Sequence, residues 1–353
     1  MRSKWRVPDS AWVIGAGVAL GILGAVLSKA GNPPNMGLCI ACFLRDIAGA
    51  LGLHRAAAAQ YLRPEIPGII LGVALAAFWG KELKGRSAPS VAVSFLLGAL
   101  MMIGALVFLG CPLRMILRLA GGDLNALVGL GGFATGILVG VVLLRAGYSI
   151  GRWAVAPALS TWIPPILAAG LVVLLVLRPA FIFFSEKGPG SMAAPIWASL
   201  GAGLVVGLLA QRSRVCFAGG IRDLLLIRSP HLLYGLLATM AAACLTNLAL
   251  GRFNLGFDGQ PAAHSEHLWN FLGMSLVGLA AILLGGCPLR QMVLAFGGNG
   301  GALVAVGGML AGAALAHNFG LAASPAGVPI GGKVAVAAGL VICLPIGWIL
   351  RDR

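Results

Sequence analysis

Cysteine, arginine and aspartate occur in two motifs, and each motif is present twice in the sequence. In the first motif a cysteine precedes an Arg-Asp pair by six residues. Its copies are Cys39 with Arg45 and Asp46, and Cys216 with Arg222 and Asp223. The second motif reads Gly-Cys-Pro-Leu-Arg and precedes a Gly-Gly pair. Its copies contain Cys111 with Arg114, and Cys287 with Arg290. The copies lie 177 and 176 residues apart, so we interpret the chain as an internal duplication with four equivalent thiols.

Each Gly-Cys-Pro sequence marks the predicted start of a short helix. Proline is favoured at the first helical position, where its missing N–H costs nothing. Residues 112–120 and 288–296 then form helices about 13 Å long at 1.5 Å per residue, too short to cross a membrane. Their N-termini present free N–H groups and a positive dipole, and Arg114 and Arg290 follow one turn later. The pattern therefore predicts sites that attract an anion and make a thiol more acidic.

Repetition does not by itself establish a function for these cysteines. A duplicated fold also repeats its packing residues, and cysteine packs well in apolar interiors. Cys244 and Cys343 lie within apolar spans without either motif, and we interpret both as packing residues. The four motif cysteines differ because they stand at four predicted helix starts. A structural membrane subunit with packing cysteines remains an alternative.

The composition indicates an all-α integral membrane protein. Of 353 residues, 59% are hydrophobic and only 10% are charged, and the mean hydropathy is +0.97. Runs such as 91–109 and 268–284 are apolar on every face, whereas the strands of a membrane barrel alternate apolar and polar residues. The net charge of +15 comes from basic residues that cluster at helix ends, as the positive-inside rule predicts. We therefore expect a lipid bilayer around the chain and no nucleic-acid partner.

Long apolar stretches predict about 9–10 transmembrane helices. They cover residues 11–30, 66–82, 90–110, 124–146, 161–178, 193–211, 231–250, 267–286, 301–318 and 331–350. Five crossings separate the starts of the two copies, so the second copy enters the membrane from the opposite side. This predicts an inverted internal repeat, an arrangement that transporters use. The expected regions are a first repeat at 1–150, a linking helix at 151–192, a second, inverted repeat at 193–320 and a C-terminal helix at 321–353.

The distribution of positive charge favours a cytoplasmic N-terminus and C-terminus. The segments that are then inside carry Arg2, Lys4, Arg6, Lys81, Lys84, Arg86, Arg145, Arg152, Arg212, Arg214, Arg228, Arg351 and Arg353. Lys29, Arg55 and Arg63 count against this orientation. The basic start and first apolar run also fit a signal peptide. Because the equivalent segment 193–207 lies in mid-chain and cannot be cleaved off, we predict a retained span.

The two Cys-Arg-Asp motifs lie in segments that are too polar to span a membrane. We expect two further re-entrant helices there, so that four short helices meet at the centre, where protein or water covers their irregular backbone. The charged pairs would support the anion path. Each Asp is expected to bind the Arg of a neighbouring segment or a helix N-terminus rather than the Arg beside it. For Asp123, after the first Gly-Gly, a proton-coupling role and a helix-terminal turn are both open.

Two other spacings are weaker signals. Cys39 and Cys42 form a C-x-x-C, which is typical of redox sites or of half a zinc site. The counterpart of Cys42 is Gly219, so the duplicated function cannot depend on Cys42, although a disulfide from Cys39 to Cys42 stays an alternative. His264 and His267 form an H-x-x-H that we interpret as a solvated turn. We expect no metal and no cofactor.

The motifs of the second copy carry a resemblance to a known family. Residues Arg214–Asp223, followed by Gly285–Cys287, resemble the YeeE/YedE family of bacterial inner-membrane transporters, which includes the thiosulfate importer. The Gly-Cys-Pro-Leu-Arg motif and Gly121–Asn125 look closer to the YedE-like branch linked with selenium metabolism. The resemblance covers both copies, over roughly residues 35–145 and 210–317.

The resemblance implies an hourglass of membrane helices with short helices at its centre. Thiosulfate would pass between cysteine thiols by S–H to sulfur contacts. The matching positions are Cys111, Cys216 and Cys287, with Cys39 a fourth by the internal repeat. The first copy departs from the pattern, because Leu109-Gly110 precedes Cys111 where the second copy has Gly-Gly. The family also implies a cytoplasmic sulfur-carrier protein as a partner.

We therefore expect a transporter, not an enzyme, in the bacterial inner membrane. It would import a small sulfur- or selenium-containing species, a thiosulfate-like anion, along a line of thiols with Cys39 outermost and Cys216 nearest the cytoplasm. Thiols are weak donors to a soft sulfur or selenium atom, so they guide the anion without trapping it. Arg114 and Arg290 would attract the anion. A membrane thiol oxidoreductase or sulfurtransferase, with a covalent persulfide or disulfide, is the alternative from another class.

Overall fold

The chain forms α-helices joined by loops and isolated β-bridges in a computed structural model that describes residues 9–152, 154–155 and 162–351. The helices are α1 (Asp9–Lys29), α2 (Ile40–Ala50), α3 (Glu65–Trp79), α4 (Val91–Phe108), α5 (Pro112–Ala120), α6 (Asn125–Arg145), α7 (Ile163–Leu177), α8 (Ile196–Ser213), α9 (Phe217–Ile227), α10 (His231–Ala249), α11 (His267–Leu283), α12 (Pro288–Phe296), α13 (Gly300–Asn318) and α14 (Ile330–Ile349). The basic residues Arg2, Lys4, Arg6 and Arg353, and the first residue of the predicted span 161–178, lie outside the described residues.

The observed helices agree with the predicted all-α membrane fold. Within the described part of the chain, eight helical stretches are long and apolar enough to cross a membrane, and three of them combine a span with the short helix after it. Helices α3 and α7 are shorter apolar helices at two further predicted spans. The remaining short helices α2, α5, α9 and α12 contain 11, 9, 11 and 9 residues and begin at the cysteine motifs. The four short helices are therefore confirmed.

Helices of the two copies pack on each other across the duplication. Helix α1 packs on α10, and its counterpart α8 packs on α3, the counterpart of α10. In the same way α4 packs on α13 and α11 on α6, while α4 and α11 contact each other. The short helices also pack across the duplication, since α5 contacts α9 and α12 contacts α2. Each copy thus supplies helices that cover the other.

The equivalence of the two copies ends after α6 and α13. Helix α7 packs mainly on α3, whereas α14 packs on α11 and α4. These two helices therefore occupy different places although they follow equivalent helices in the chain. The expected division into two repeats, a linking helix and a C-terminal helix, and the inverted orientation of the repeats in a membrane, stay predictions.

Loops that were predicted to lie on the same side of the membrane contact one another. The inside segments are joined by hydrogen bonds from Ser87 N to Ala154 O, Ser149 N to Leu350 O and Arg145 Nη2 to Leu225 O. Arg63, which counted against the predicted orientation, is fully buried in an ion pair with Asp46 and does not act as a loop charge. The contacts are consistent with the predicted topology, and which face is cytoplasmic stays a prediction.

The repeated Gly-Gly pairs have a conformational role at the end of α5 and of α12. Gly122 and Gly298, the second glycine of each pair, have φ of +95° and +99°, in the left-handed region that favours glycine. A loop backbone approaches each of them, with hydrogen bonds from Gly256 N to Gly122 O (3.0 Å) and from Arg86 N to Gly298 O (2.8 Å). The same loop contact is therefore made twice, and a side chain at either position would block it.

Close packing between the copies also depends on glycine at helix contacts. A Cβ added at Gly207 in α8 would overlap the carbonyl oxygen of Ile69 in α3, and one at Gly21 in α1 would lie 2.5 Å from the carbonyl oxygen of Thr239 in α10. In lipid, helices associate by van der Waals packing because apolar burial gives no advantage over contact with lipid tails. These glycines therefore set the distance between the helices that join the copies.

We expect Gly207→Ala to lower the free energy of unfolding by about 1–3 kcal/mol, because the added methyl group overpacks the contact between α3 and α8. The matched control is Gly201→Ala in the same helix, where an added Cβ meets nothing within 4 Å. That control should be neutral or gain up to about 1 kcal/mol from helix propensity. Thermal melting of both variants in detergent measures the difference, and equal melting temperatures would contradict the packing role.

Candidate functional site

All four motif cysteines are N-cap residues of the short helices. They are Cys39 before α2, Cys111 before α5, Cys216 before α9 and Cys287 before α12. Each has an extended backbone, and proline occupies the first turn of α5 and α12. This is the local pattern of a helix start. The cysteines therefore lie at the positive ends of four helix dipoles.

Two of these cysteines cap their helix with sulfur. The Sγ atom of Cys39 accepts a hydrogen bond from the backbone N–H of Cys42 at 3.3 Å, and Sγ of Cys216 accepts one from Gly219 at 3.2 Å. The first N–H groups of a helix have no partner within the helix. Sulfur is a weak acceptor, so this cap leaves part of the positive character of the helix end available to an anion.

The four thiols meet in two pairs. The Sγ atoms of Cys39 and Cys111 are 3.8 Å apart, and those of Cys216 and Cys287 are also 3.8 Å apart. Each pair joins the two motifs of one copy, and every one of these cysteines is at most 4% exposed. The duplication therefore produces two equal thiol pairs in the interior. Cys343 lies apart from them, in a separate apolar cluster.

Arg114 lies one turn into α5, next to the first thiol pair, and backbone segments cover it. Its guanidinium donates to the carbonyl oxygens of Leu109, Asn35 (3.1 Å) and Ala262 (3.3 Å), and Nη1 lies 3.4 Å from the Sγ of Cys42. The residue is only 2% exposed. Arg114 therefore joins three segments. These are the connection between α1 and α2, the loop before α11 and the end of α4. No free anion reaches it in this state.

Arg290, the equivalent residue in α12, lies at an open cavity. The cavity has a volume of about 240 Å³. Its charged lining residues are Lys81, Glu82, Lys84, Arg86, Arg214 and Arg290. Glu82 accepts from Gln211 at 2.8 Å and lies 3.5 Å from Arg214, so its charge is already engaged. Five cations against one carboxylate make this cavity attractive to anions.

One lining residue of the cavity, Arg290, lies near the second thiol pair. Gly286 contacts both groups. A Cβ added to it would lie 2.6 Å from Cγ of Arg290 and 3.8 Å from the Sγ of Cys216. Within the described residues, Arg290 makes no side-chain hydrogen bond or ion pair. Its guanidinium is therefore available to an anion that enters the cavity.

Unequal connections explain why one arginine is covered and the other is open. Residues 30–39 connect α1 to α2 and carry the Asn35 carbonyl, whereas only residues 214–216 connect α8 to α9. Similarly, residues 250–266 between α10 and α11 reach Arg114 through Ala262, and the shorter segment 80–90 between α3 and α4 leaves the cavity beside Arg290. The difference between the two ends thus lies in the loops and not in the motifs.

The Arg-Asp pairs differ from the sequence expectation. Asp46 accepts from its neighbour Arg45 (2.6 Å) and also from Arg63 (2.7 Å), and Asp223 is paired with its neighbour Arg222 (2.7 Å). The expectation was wrong for Asp223, whose side chain meets that of the adjacent Arg222 in the second turn of α9, whereas Asp46 binds the expected Arg63 of a neighbouring segment in addition to the adjacent Arg45. Only Asp46 also holds the Arg of another segment. These four residues stabilise the short helices and do not line the cavity beside Arg290.

Arg63 is a supporting residue that the sequence did not reveal. Besides Asp46, its guanidinium donates to the carbonyl oxygens of Met192 (2.8 Å) and Pro189 (2.7 Å). It therefore joins α2 to the segment before α8. In the sequence, Arg63 lies in a loop and resembles a charge that flanks a membrane span. The opposite charge of Asp46 was the one sequence feature that could have indicated an internal ion pair.

Asp123 is explained by Arg118, a second residue that sequence reasoning missed. Arg118 Nε donates to Asp123 at 2.7 Å, both side chains are fully buried, and the other carboxylate oxygen accepts from Asn125 N at 2.9 Å. The observed arrangement is the helix-terminal turn. The second copy has Leu294 and Asn299 at these positions, so the ion pair belongs to one copy only.

The H-x-x-H segment is not a solvated turn at His264. This side chain is 3% exposed, and its Nε2 lies 2.8 Å from the carbonyl oxygen of Val107. Burial lowers the pKa of His264 below its ordinary value, so it is neutral at pH 7. It fastens the loop before α11 to the end of α4. Among the described residues, no group of three or more His, Cys, Asp or Glu side chains could hold a metal ion.

Comparison with known proteins gives a family match that covers most of the second copy. Residues 212–340, which contain Cys216 and Cys287, match the family described as Sulphur transport. The chain is also 29% identical over 96 residues to the thiosulfate transporter TsuA of Escherichia coli (strain K12), a match that covers 27% of each chain. The resemblance to the YeeE/YedE family is confirmed, and the selenium-linked branch stays a prediction.

The two Asp-Arg sites predict different costs for the same substitution. Asp46→Asn leaves the buried Arg45 and Arg63 without a counter-charge and should lower the free energy of unfolding by about 3–5 kcal/mol. Asp223→Asn is the matched control, because its ion pair is partly exposed (27% and 18% for the two side chains). The control should cost less than about 1 kcal/mol. Chemical denaturation in detergent tests this, and similar losses in both variants would contradict the assignment.

Proposed function

We propose that this chain is a membrane transporter that imports a small sulfur-containing oxoanion, thiosulfate or a close analogue, and that it is not an enzyme. The observation that carries the proposal is the pair of buried thiols, 3.8 Å apart, at helix N-termini in each copy, with an open cationic cavity beside one pair. The sulphur transport match and the thiosulfate transporter relative support sulfur as the transported element.

The chemistry of the thiol pairs suits thiosulfate. Its sulfonate oxygens carry charge that the helix N-termini and arginines attract, while its terminal sulfur is a soft acceptor for S–H groups. An S–H group is a weak donor, so no single cysteine holds the anion long. Two pairs give several weak sites in succession, which is the condition for conduction. In this proposal the path contains Cys39, Cys111, Cys287 and Cys216.

The unequal covering of the two arginines supports a path that is open at one end. An anion in the cavity meets Arg290 before the thiols of Cys216 and Cys287. At the other end, Arg114 is bound to three backbone carbonyls, so passage requires segments 30–39 and 250–266 to move away from it. In the predicted orientation the open cavity faces the cytoplasm of a bacterial inner membrane. A selenium-containing analogue and a cytoplasmic sulfur-carrier partner stay predictions.

A membrane thiol oxidoreductase or sulfurtransferase is the second candidate. It is favoured by one observation, the 2.7 Å separation of the Sγ atoms of Cys39 and Cys42. A sulfurtransferase would leave a persulfide on a cysteine after turnover with thiosulfate, whereas a transporter leaves free thiols. Intact-mass measurement after incubation with thiosulfate separates the two, since a persulfide adds one sulfur atom.

We expect Cys111→Ala and Cys287→Ala each to abolish uptake of labelled thiosulfate into proteoliposomes, because each removes one thiol of a pair and interrupts the path. Cys343→Ala is the matched control, since Cys343 is equally buried and lies outside the pairs. Its uptake should equal that of the unchanged protein. Equal amounts of folded protein are checked by size exclusion. Uptake retained in both pair variants would exclude the thiol path.

We expect Arg290→Gln to raise the KM for thiosulfate supplied at the cavity side about tenfold, equivalent to about 1.4 kcal/mol, because the cavity loses the cation next to the thiols. Arg228→Gln removes the same charge from an exposed residue that does not line the cavity, and its KM should stay unchanged. Uptake at several ionic strengths completes the test, since the loss should shrink as salt screens the cavity. Equal KM values for the two variants would contradict the role of the cavity.

A further inference from the structure

The first copy contains a fifth thiol that the proposed path does not use. The Sγ atom of Cys42 lies 2.7 Å from that of Cys39, about 0.7 Å longer than a disulfide bond. Both cysteines are free and fully buried. The second copy has Gly219 at this position, so the close pair exists at one end of the path only.

The surroundings of Cys42 favour a reactive sulfur. Arg114 Nη1 lies 3.4 Å from its Sγ, and the residue stands in the first turn of α2, near the positive end of the helix dipole. A cation and a helix N-terminus both favour the thiolate, which is the nucleophilic form of cysteine. Cys39 is the N-cap of the same helix, three residues before Cys42, and its Sγ contacts that of Cys42. The geometry is that of a nucleophilic thiol with a resolving thiol.

Cys39 also contacts the path, because its Sγ is 3.8 Å from that of Cys111. We infer that Cys39 and Cys42 form a redox-active dithiol that reacts with polythionates, anions in which sulfonate-bearing sulfur units are joined by a sulfur–sulfur bond. Their disulfide removes the S–H of Cys39 and thereby interrupts the path. The effect on transport rests on the proposed function, whereas the dithiol chemistry does not.

The reaction with tetrathionate, two thiosulfate units joined by a sulfur–sulfur bond, balances without another reactant. Cys42 loses its proton to water, and its thiolate attacks one central sulfur of tetrathionate. The central sulfur–sulfur bond breaks, and one thiosulfate leaves with the electron pair. Cys39 then loses its proton and attacks Sγ of Cys42, and the second thiosulfate leaves. Two thiols are oxidised to one disulfide, and tetrathionate is reduced to two thiosulfate ions with release of two protons.

Access to the dithiol follows from the fold. Cys39 and Cys42 are fully buried, and Arg114, which lies 3.4 Å from the Sγ of Cys42, is itself held by segments 30–39 and 250–266, so an oxidant reaches the dithiol when this end of the path opens. A polythionate carries the same sulfonate groups as thiosulfate and is attracted by the same cations. The disulfide therefore forms where the transported anion would pass, and its reduction restores the thiol of Cys39.

The test uses the full-length protein in proteoliposomes, treated with limiting tetrathionate. One portion is denatured, its remaining thiols are alkylated, and its peptides are mapped by mass spectrometry. We expect a disulfide between Cys39 and Cys42 that dithiothreitol removes. The second copy is an internal control, because Cys216 has no cysteine at position 219 and should form no such bond. In Cys42→Ala, the intrahelical disulfide must be absent.

Uptake of labelled thiosulfate is measured on the other portion, before and after dithiothreitol. We expect uptake to be lost in the oxidised protein and to return on reduction. Recovery of Cys39 and Cys42 as alkylated thiols, or a disulfide from Cys39 to Cys111 instead, overturns the dithiol whatever the uptake. A disulfide that leaves uptake unchanged overturns its effect on the path. A disulfide in a protein that takes up no thiosulfate when reduced supports the dithiol and overturns the proposed function.

Discussion

The structure depends on four helix N-termini that lie inside the protein. The first N–H groups of a helix lack partners within the helix, and in an apolar interior an unpaired polar group is costly. Here sulfur atoms of Cys39 and Cys216 accept two of these N–H groups, and proline in the first turn of α5 and α12 removes another donor. Packing between the copies then covers the short helices. The thiol pairs exist because these helix ends converge.

Much of this arrangement could be predicted because it follows from local rules. Hydropathy gave the spans, Gly-Cys-Pro gave the starts of α5 and α12, and the duplication showed that four cysteines are equivalent. The partners of buried charges could not be predicted in this way. Arg63 and Arg118 find Asp46 and Asp123 through turns and loops whose path depends on the whole fold. The same holds for Arg114, whose acceptors are backbone carbonyls that carry no sequence signal.

The asymmetry of the two ends was equally absent from the motifs, which are the same in both copies. It arises from connection length, ten residues from α1 to α2 against three from α8 to α9. The longer connection brings enough backbone to satisfy Arg114, whereas Arg290 remains at a cavity. The ion pairs follow the same division. Asp46 binds two buried arginines, and its counterpart Asp223 binds one partly exposed arginine.

This division bears on the direction of transport under the proposed function. Two thiol pairs of equal geometry bind a given anion about equally, so they cannot by themselves favour one direction. Any difference between the two directions must come from the free energy that the anion needs to reach each thiol pair. At Arg290 the anion meets a guanidinium that has no hydrogen-bond partner among the described residues, whereas at Arg114 it must replace three carbonyl acceptors before it can bind. A charge-assisted hydrogen bond contributes about 1.5–3 kcal/mol, so this end opens rarely unless an anion of matching charge takes the place of the carbonyls. The covered Arg114 thus makes the opening of its end of the path depend on the anion. The two equivalent thiol pairs can then bind the anion from either side.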